Sequence, residues 1–507
     1  MESRTRNSKR NIIVGILSNC LIPVFAFVIK SATVRCFGNE YNGLVGFYSS
    51  VLQILNIAEL GFSTAIIVNL YKPLKENDAA AICGILAYFR RIYRIIGLVI
   101  LAGGLIVSPF LKKLIGDTGM IGENIYFLYF IYLAEKVCGY LLFAYKEALF
   151  NAAQRFDITK TVYVILYFFR GCLQLLALIV FKNFYLFATV YLLATVFYNL
   201  ALNILSKKKF AQYYPEGNID EATKKEVIKQ VAGLSVSNVL GVSRDSLNSI
   251  LVTSYLGLYV GGQYSNYCAV YDALIGFFLV ITKAVQASIG NSIVSETVEK
   301  NYADLTKMEF LHNLLITACT AYMIALYQPF MKLWMGENLM FPDPVMMLFV
   351  VYFYIRAMIE VRNAYFFALG YWWKAKWIFV AETVINISLM TCLGKLWGVA
   401  GIIIAPALSL LLVNYIGCTE LMFKEYFKTG RKEFYINRII YTLIMVLTCG
   451  ISWYCCKLIA YEGIKGLIVR IAVCTLVLVL IVPAVMFVIK REHMKESVAF
   501  VRQILKA

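Results

Sequence analysis

Along most of the chain the apolar positions neither alternate nor fall into amphipathic stripes. They come in runs of about 20 residues, separated by short polar turns, and a run of that length carries an α-helix across ~30 Å of hydrocarbon. Fourteen such spans are predicted, at 11–36, 43–69, 92–112, 122–148, 161–181, 184–205, 231–256, 264–294, 309–331, 344–369, 376–395, 398–420, 438–459 and 466–489. The longest clearly polar gap runs only from Ser206 to Gln230. Within it "IDEATKKEVIKQ" (219–230) predicts a short amphipathic helix leading into the seventh span. The tail "KREHMKESVAFVRQILKA" sets Met494, Val498, Val501 and Leu505 at helical spacing, as a helix on the membrane surface or a solvated tail. The pattern predicts an all-α integral membrane protein with no soluble catalytic or nucleotide-binding domain.

Composition agrees, with 61% hydrophobic residues, 15% charged residues and a mean hydropathy of +0.72. A net charge of +18 would point a soluble protein towards nucleic acid. Here its distribution gives another cause. With the N-terminus inside, the external loops hold 8 of the 48 Lys and Arg: Arg35, Lys112, Lys113, Lys182, Lys332, Lys395, Lys457 and Lys465. Another 8 lie within spans, leaving 32 in cytoplasmic segments. Cytoplasmic loops collect basic residues, so both termini are expected to be cytoplasmic, with no nucleic-acid partner. The basic start "MESRTRNSKR" precedes a long apolar run without a small-residue cleavage site and reads as a retained signal anchor. Thirteen scattered cysteines and two histidines, His312 and His493, suggest no disulfide framework, metal or cofactor.

The charges within spans are the candidate chemistry. The bases are Lys30, Lys136, Arg170, Arg244, Lys283, Arg356, Arg362 and Arg470; the acids are Glu59, Glu135, Asp245, Asp272, Glu360 and Glu382. Each costs ~2.5–3.5 kcal/mol at the bilayer centre, so they must face one another or a wet cavity. Lys136, Arg170, Arg244 and Arg356 lie near the middle of four different spans. One reading is a cationic cavity for an anionic ligand, with Lys283 and Arg362 guiding it from the cytoplasmic side. The other is structural pairing: Arg356 with Glu360 four residues on, or the neighbours Glu135–Lys136 and Arg244–Asp245. Lys30 and Arg470 are near enough to the outer surface to snorkel. A carboxylate in a half-dry cavity carries a proton or binds sodium, which makes Asp245, Asp272 and Glu59 candidates for ion coupling. Glu59, in "AELGF", lies past the midplane; it reads as a buried polar lock meeting Ser18 and Asn19, with Gly61 allowing a bend or a close helix.

The two halves echo each other. "FGNEYNGLVGFYS" (37–49) and "LGLYVGGQYS" (256–265) both read apolar-Gly, then Tyr-x-Gly, then Tyr-Ser. Repeated halves are typical of alternating-access transporters, and chance is the competing explanation.

The N-terminal stretch "RNIIVGILSNCLIPVFAFVIKSATVRCFGNEYNGLVGFYSSVLQILNIAELGFSTAIIVNLYKPLKEND" resembles the opening of bacterial polysaccharide or O-antigen flippases of the Wzx type. These belong to the multidrug/oligosaccharidyl-lipid/polysaccharide (MOP) exporter superfamily. "AYKEALFNAAQRFDITK" (144–160) and "NSILVTSYLGLYVGGQYSNY" (248–267) extend the resemblance, which rests mainly on topology after about residue 300. It implies two six-helix lobes in a V shape, as in MATE transporters, with two appended C-terminal helices. Accordingly 1–205 is expected as the N-lobe, 206–230 as a linker, 231–420 as the C-lobe, 421–489 as the appended pair and 490–507 as a tail. It also implies a secondary transporter in the bacterial inner membrane, coupled to H+ or Na+. Such a protein flips undecaprenyl-diphosphate-linked oligosaccharide for O-antigen or capsule export, beside a polymerase and glycosyltransferases of the same pathway. A MATE-like multidrug exporter is the nearest rival, but it handles cations and should favour acids in its cavity. A membrane polymerase would want a long external loop, and an acyltransferase a midmembrane histidine.

Overall fold

In a bilayer every backbone polar group must be satisfied within the chain, which leaves apolar runs of this length little choice but helix. The computed structural model describes residues 22–59, 61–116, 118 and 121–489; side chains are not described at 57, 58, 64, 222, 226, 229, 230, 232–241, 243–245, 284, 287 and 485–489. Among the described residues there are helices and turns and no strand. The signal anchor's start and the C-terminal tail lie outside them. By contacts the chain divides into two compact units, Met1–Ser265 and Asn266–Ala507, a division that falls within a helix rather than in the polar linker.

Unit 1 contains α1 (described over 22–37), α2 (Asn39–Leu55), α3 (Phe62–Glu76), α4 (Ala79–Val107), α5 (Leu111–Ile115), α6 (Ile125–Leu141), α7 (Tyr145–Ala152), α8 (Phe156–Ile179), α9 (Phe184–Lys209) and the first part of α10 (Glu221–Ser295). Short polar residues start these helices at the turns. Asn124 accepts from the amides of Tyr126 and Phe127 at 2.9 and 3.1 Å, and Asn183 accepts from that of Leu186 at 2.9 Å. The linker helix joins the seventh span without interruption and is capped by Asp220, which accepts from Thr223 N at 3.0 Å.

Unit 2 contains the rest of α10, then α11 (Val298–Met335), α12 (Asp343–Met358), α13 (Glu360–Ala368), α14 (Lys376–Trp397), α15 (Val399–Ser409), α16 (Ile416–Met422), α17 (Arg431–Lys457) and α18 (Gly463–Ile489). A π-helical stretch, Leu410–Tyr415, joins α15 to α16. The helices α17 and α18 both pack on α11.

Ten described helices are long and apolar enough to cross a membrane, or eleven with the bent pair Ile125–Leu141 and Tyr145–Ala152. This makes the chain a multi-pass membrane protein. These helices account for most of the fourteen expected spans. The first is described only from residue 22. The second is not one helix: α2 ends at Leu55, a 3-10 turn covers Asn56–Glu59, and Gly61 takes a left-handed φ of 99° before α3 begins. The seventh and eighth follow each other directly, with the helix broken between them at Gly257, whose backbone is not helical (φ 85°).

The two echoed segments pack against each other inside unit 1. Gly38 (φ 104°) and Gly257 (φ 85°) each break a helix in a conformation that L side chains rarely adopt. Five residues on, Gly43 and Gly262 let the backbones touch. A Cβ on Gly43 would lie 2.1 Å from the Leu258 carbonyl oxygen, and one on Gly262 would lie 2.2 Å from that of Asn39. Hydrogen bonds stitch the crossing: Asn39 Nδ2 donates to Tyr259 O at 2.6 Å, Asn42 Nδ2 to Gly262 O at 3.1 Å and Lys30 Nζ to Ser265 Oγ at 2.8 Å. Lys30 therefore ends in a hydrogen-bonded site. Gly43→Ala is expected to cost about 1–3 kcal/mol by overpacking, read as a lower denaturation midpoint of the purified protein. Gly276→Ala, where an added carbon meets nothing within 4 Å, should change little.

Candidate functional site

A polar cluster of unit 1 is built on one face of α8. Lys160, Tyr163, Tyr167, Arg170 and Gln174 recur every three or four residues, so their side chains line up along the helix. The Arg170 guanidinium lies close to two rings, 4.3 Å from the centroid of Tyr167 and 4.6 Å from that of Tyr191 on α9. Its Nε is buried and has no hydrogen-bond partner, and no carboxylate pairs with it among the described residues. Contact with the two rings restrains the guanidinium and leaves it without a neutralising charge.

Lys136, from α6, shares this cluster through Tyr163 and Tyr191, which lie within electrostatic reach of it. Its charge is offset by Glu135, 3.3 Å away, and Glu135 also accepts from Thr195 Oγ1 at 2.8 Å. The neighbour pairing that was the alternative for Lys136 is therefore present. Arg170 and Lys136 are thus brought together with Tyr163, Tyr167 and Tyr191, and the carboxylate beside them, Glu135, pairs with Lys136.

Glu59 lies elsewhere in unit 1. Ser18 and Asn19 are outside the described residues. Its described surroundings are Tyr140, Tyr93 and a second carboxylate, Glu147. Tyr140 also donates to Asn56 Oδ1 at 2.5 Å and stacks on Tyr93 at 5.9 Å. The side chains of Arg244 and Asp245 on α10 are among those not described.

In unit 2, Arg356 reaches Glu360 at 2.6 Å across the break between α12 and α13, the structural pairing that the i, i+4 spacing allows. Arg362 is fully buried. Its Nη2 donates to Asn414 Oδ1 at 2.8 Å and its Nη1 to the Asn414 carbonyl at 3.3 Å. That residue stands in the π-helical stretch, where the irregular backbone frees a carbonyl. Asn414 in turn donates to Glu382 Oε2 at 2.7 Å. Lys283 and Asp272 are exposed on α10, and Arg470 caps the carbonyls of Tyr461 and Ile459 at 2.9 and 2.8 Å. No group of three or more His, Cys, Asp or Glu that could hold a metal occurs among the described residues.

Sequence reasoning missed two features. One is the pair Glu309 and Arg438, which joins α11 to α17. Arg438 also bonds Asn313 Oδ1 at 2.7 Å and Met358 O at 3.3 Å, and His312 beside it bonds Ala357 O at 2.9 Å. The other is a groove of about 780 Å³ between α12, α17 and the Leu410–Tyr415 stretch. Its walls include Val351, Leu412, Ile439, Met445 and Val446, with Tyr354, Tyr415, Tyr435 and Arg438 as polar contributions. Leu412, Ile439 and Val446 are each more than half exposed, as apolar groups facing lipid are.

No protein-family model matches the chain, and no curated protein matches it. Solved structures do. The lipid II flippase MurJ in its inward closed conformation superposes with a TM-score of 0.68 at 14% identity, covering 94% of this chain and 99% of that one. An inward-facing multidrug resistance MATE family transporter of the MOP superfamily gives 0.62 at 14%, covering 79% and 96%. A eukaryotic MATE transporter gives 0.59 at 13%, covering 84% and 98%. The chain has the all-helical fold that these membrane flippases and exporters share. Identities this low establish the fold alone.

Proposed function

We propose that the protein is a flippase for undecaprenyl-diphosphate-linked oligosaccharide. It carries this lipid from the inner to the outer leaflet of the bacterial cytoplasmic membrane, with both termini cytoplasmic, for export of a cell-surface polysaccharide. The observation that carries the reading is Arg170, a guanidinium without a carboxylate partner and clasped by tyrosines. An exporter of cationic drugs would be expected to place a carboxylate in that position. A diphosphate suits a fork of donors with a fixed plane, and sugar rings pack against aromatic faces such as Tyr163 and Tyr191. The unit 2 groove is apolar and lipid-facing, which suits a polyprenyl chain. Lys136 assists Arg170 in this reading, whereas both terminal nitrogens of Arg362 donate to Asn414. Alternating access driven by H+ or Na+ supplies the work, with Glu59, Asp245 and Asp272 as coupling candidates. The sugar would be supplied by glycosyltransferases and consumed by a polymerase.

The test is a deletion strain. Lipid-linked oligosaccharide should accumulate on the inner leaflet and surface polysaccharide should vanish, with both restored by the intact gene. Intact surface polysaccharide together with new sensitivity to cationic drugs would sink the reading in favour of multidrug export.

A further inference from the structure

The seam between α11 and α17 is polar at one level. Glu309, Asn437, Arg438 and Tyr441 are only 4%, 6%, 6% and 3% exposed. Arg438 spends its two terminal nitrogens on Glu309, Asn313 and Met358. Four polar atoms then have no partner among the described residues: Glu309 Oε1, Asn437 Oδ1, Arg438 Nε and the Tyr441 hydroxyl. Leaving one such group unmet is costly, and four at one place is a pattern. The four residues line one small cavity with Thr306 and Phe434. It offers about 10 Å³ to the centre of a water-sized sphere, which is room for one water molecule.

We propose that this cavity is a binding site for a single water molecule that fastens α17 to α11. The inventory balances. Arg438 Nε–H and the Tyr441 hydroxyl donate to the water oxygen. The two water hydrogens go to Glu309 Oε1 and Asn437 Oδ1, which fills all four positions of a tetrahedral water. A sodium ion does not suit the site, because a guanidinium donor edge repels a cation and the space is too small for a five- or six-oxygen shell. The site belongs to unit 2 alone and stands whatever the protein transports. Its effect is to make α17 part of the same body as α11, and to fix Arg438, which also contributes to the apolar groove.

The full-length protein in lipid nanodiscs provides the test. A structure at a resolution that shows waters should have one density peak within hydrogen-bond distance of the four atoms. A space without density, or Arg438 Nε bonded directly to Glu309 Oε1, overturns the proposal. Tyr441→Phe discriminates by sign. If the hydroxyl holds a water, its loss lowers the thermal midpoint; if the hydroxyl is simply unmet, its removal leaves the midpoint unchanged or raises it. The midpoint should also be the same in sodium chloride and choline chloride at equal ionic strength. A sodium-dependent gain that disappears in Glu309→Gln identifies the occupant as a cation and overturns the assignment.

Discussion

Arg170→Ala is expected to lower transport of the lipid-linked substrate about 100-fold while the protein still reaches the membrane in near-normal amount. Two charge-assisted hydrogen bonds to a diphosphate contribute about 3 kcal/mol together, and each 1.4 kcal/mol is a factor of ten. The structural cost is smaller, because no carboxylate is left behind and only the stacking on Tyr167 and Tyr191 is lost. Arg170→Lys keeps the charge but loses the planar fork, so an intermediate loss of about tenfold is expected. Flipping measured in proteoliposomes, beside membrane protein quantified by immunoblot, separates the two effects. Wild-type flipping by Arg170→Ala would remove the anion-binding role from α8.

The largest loss of stability is expected from Arg438→Ala. Removing one partner of a buried ion pair leaves the other charge unmet and costs about 3–5 kcal/mol. Glu309, Asn313 and the Met358 carbonyl all lose a donor at once. The denaturation midpoint of the purified protein should fall sharply, with α17 more open to protease. The double variant Glu309→Leu with Arg438→Met should be more stable than Arg438→Ala, because no lone charge is buried. Equal losses in the two would mean that the pair is not what holds α17.

Several parts of the site were open to reading from the sequence. The stripe Lys160, Tyr163, Tyr167, Arg170, Gln174 has helical spacing and could have been found by asking which polar residues share a face with the midspan arginine. The pairs Glu135–Lys136 and Arg356–Glu360 were visible as neighbours and as an i, i+4 pair. The echo at Gly38 and Gly257 was visible too, although its packing was not. Glu309 and Arg438 escaped for a physical reason. Each is the first residue of its predicted span, where a charge can reach the interface cheaply and attracts no attention. Their pairing requires α11 and α17, 129 residues apart in sequence, to lie side by side.

By itself the sequence determined that this is a multi-pass helical membrane protein. Those properties follow from local quantities: the length of apolar runs and the need of every backbone group for a partner within lipid. Tertiary structure decided what local quantities cannot. It broke the second span at Gly61, and it crossed the echoed segments through Gly43 and Gly262. It also set which charges within spans are neutralised and that Arg170 has no carboxylate partner among the described residues. Whether a charge in a membrane serves structure or a ligand depends on what lies within about 4 Å of it, and helices distant in sequence supply those neighbours.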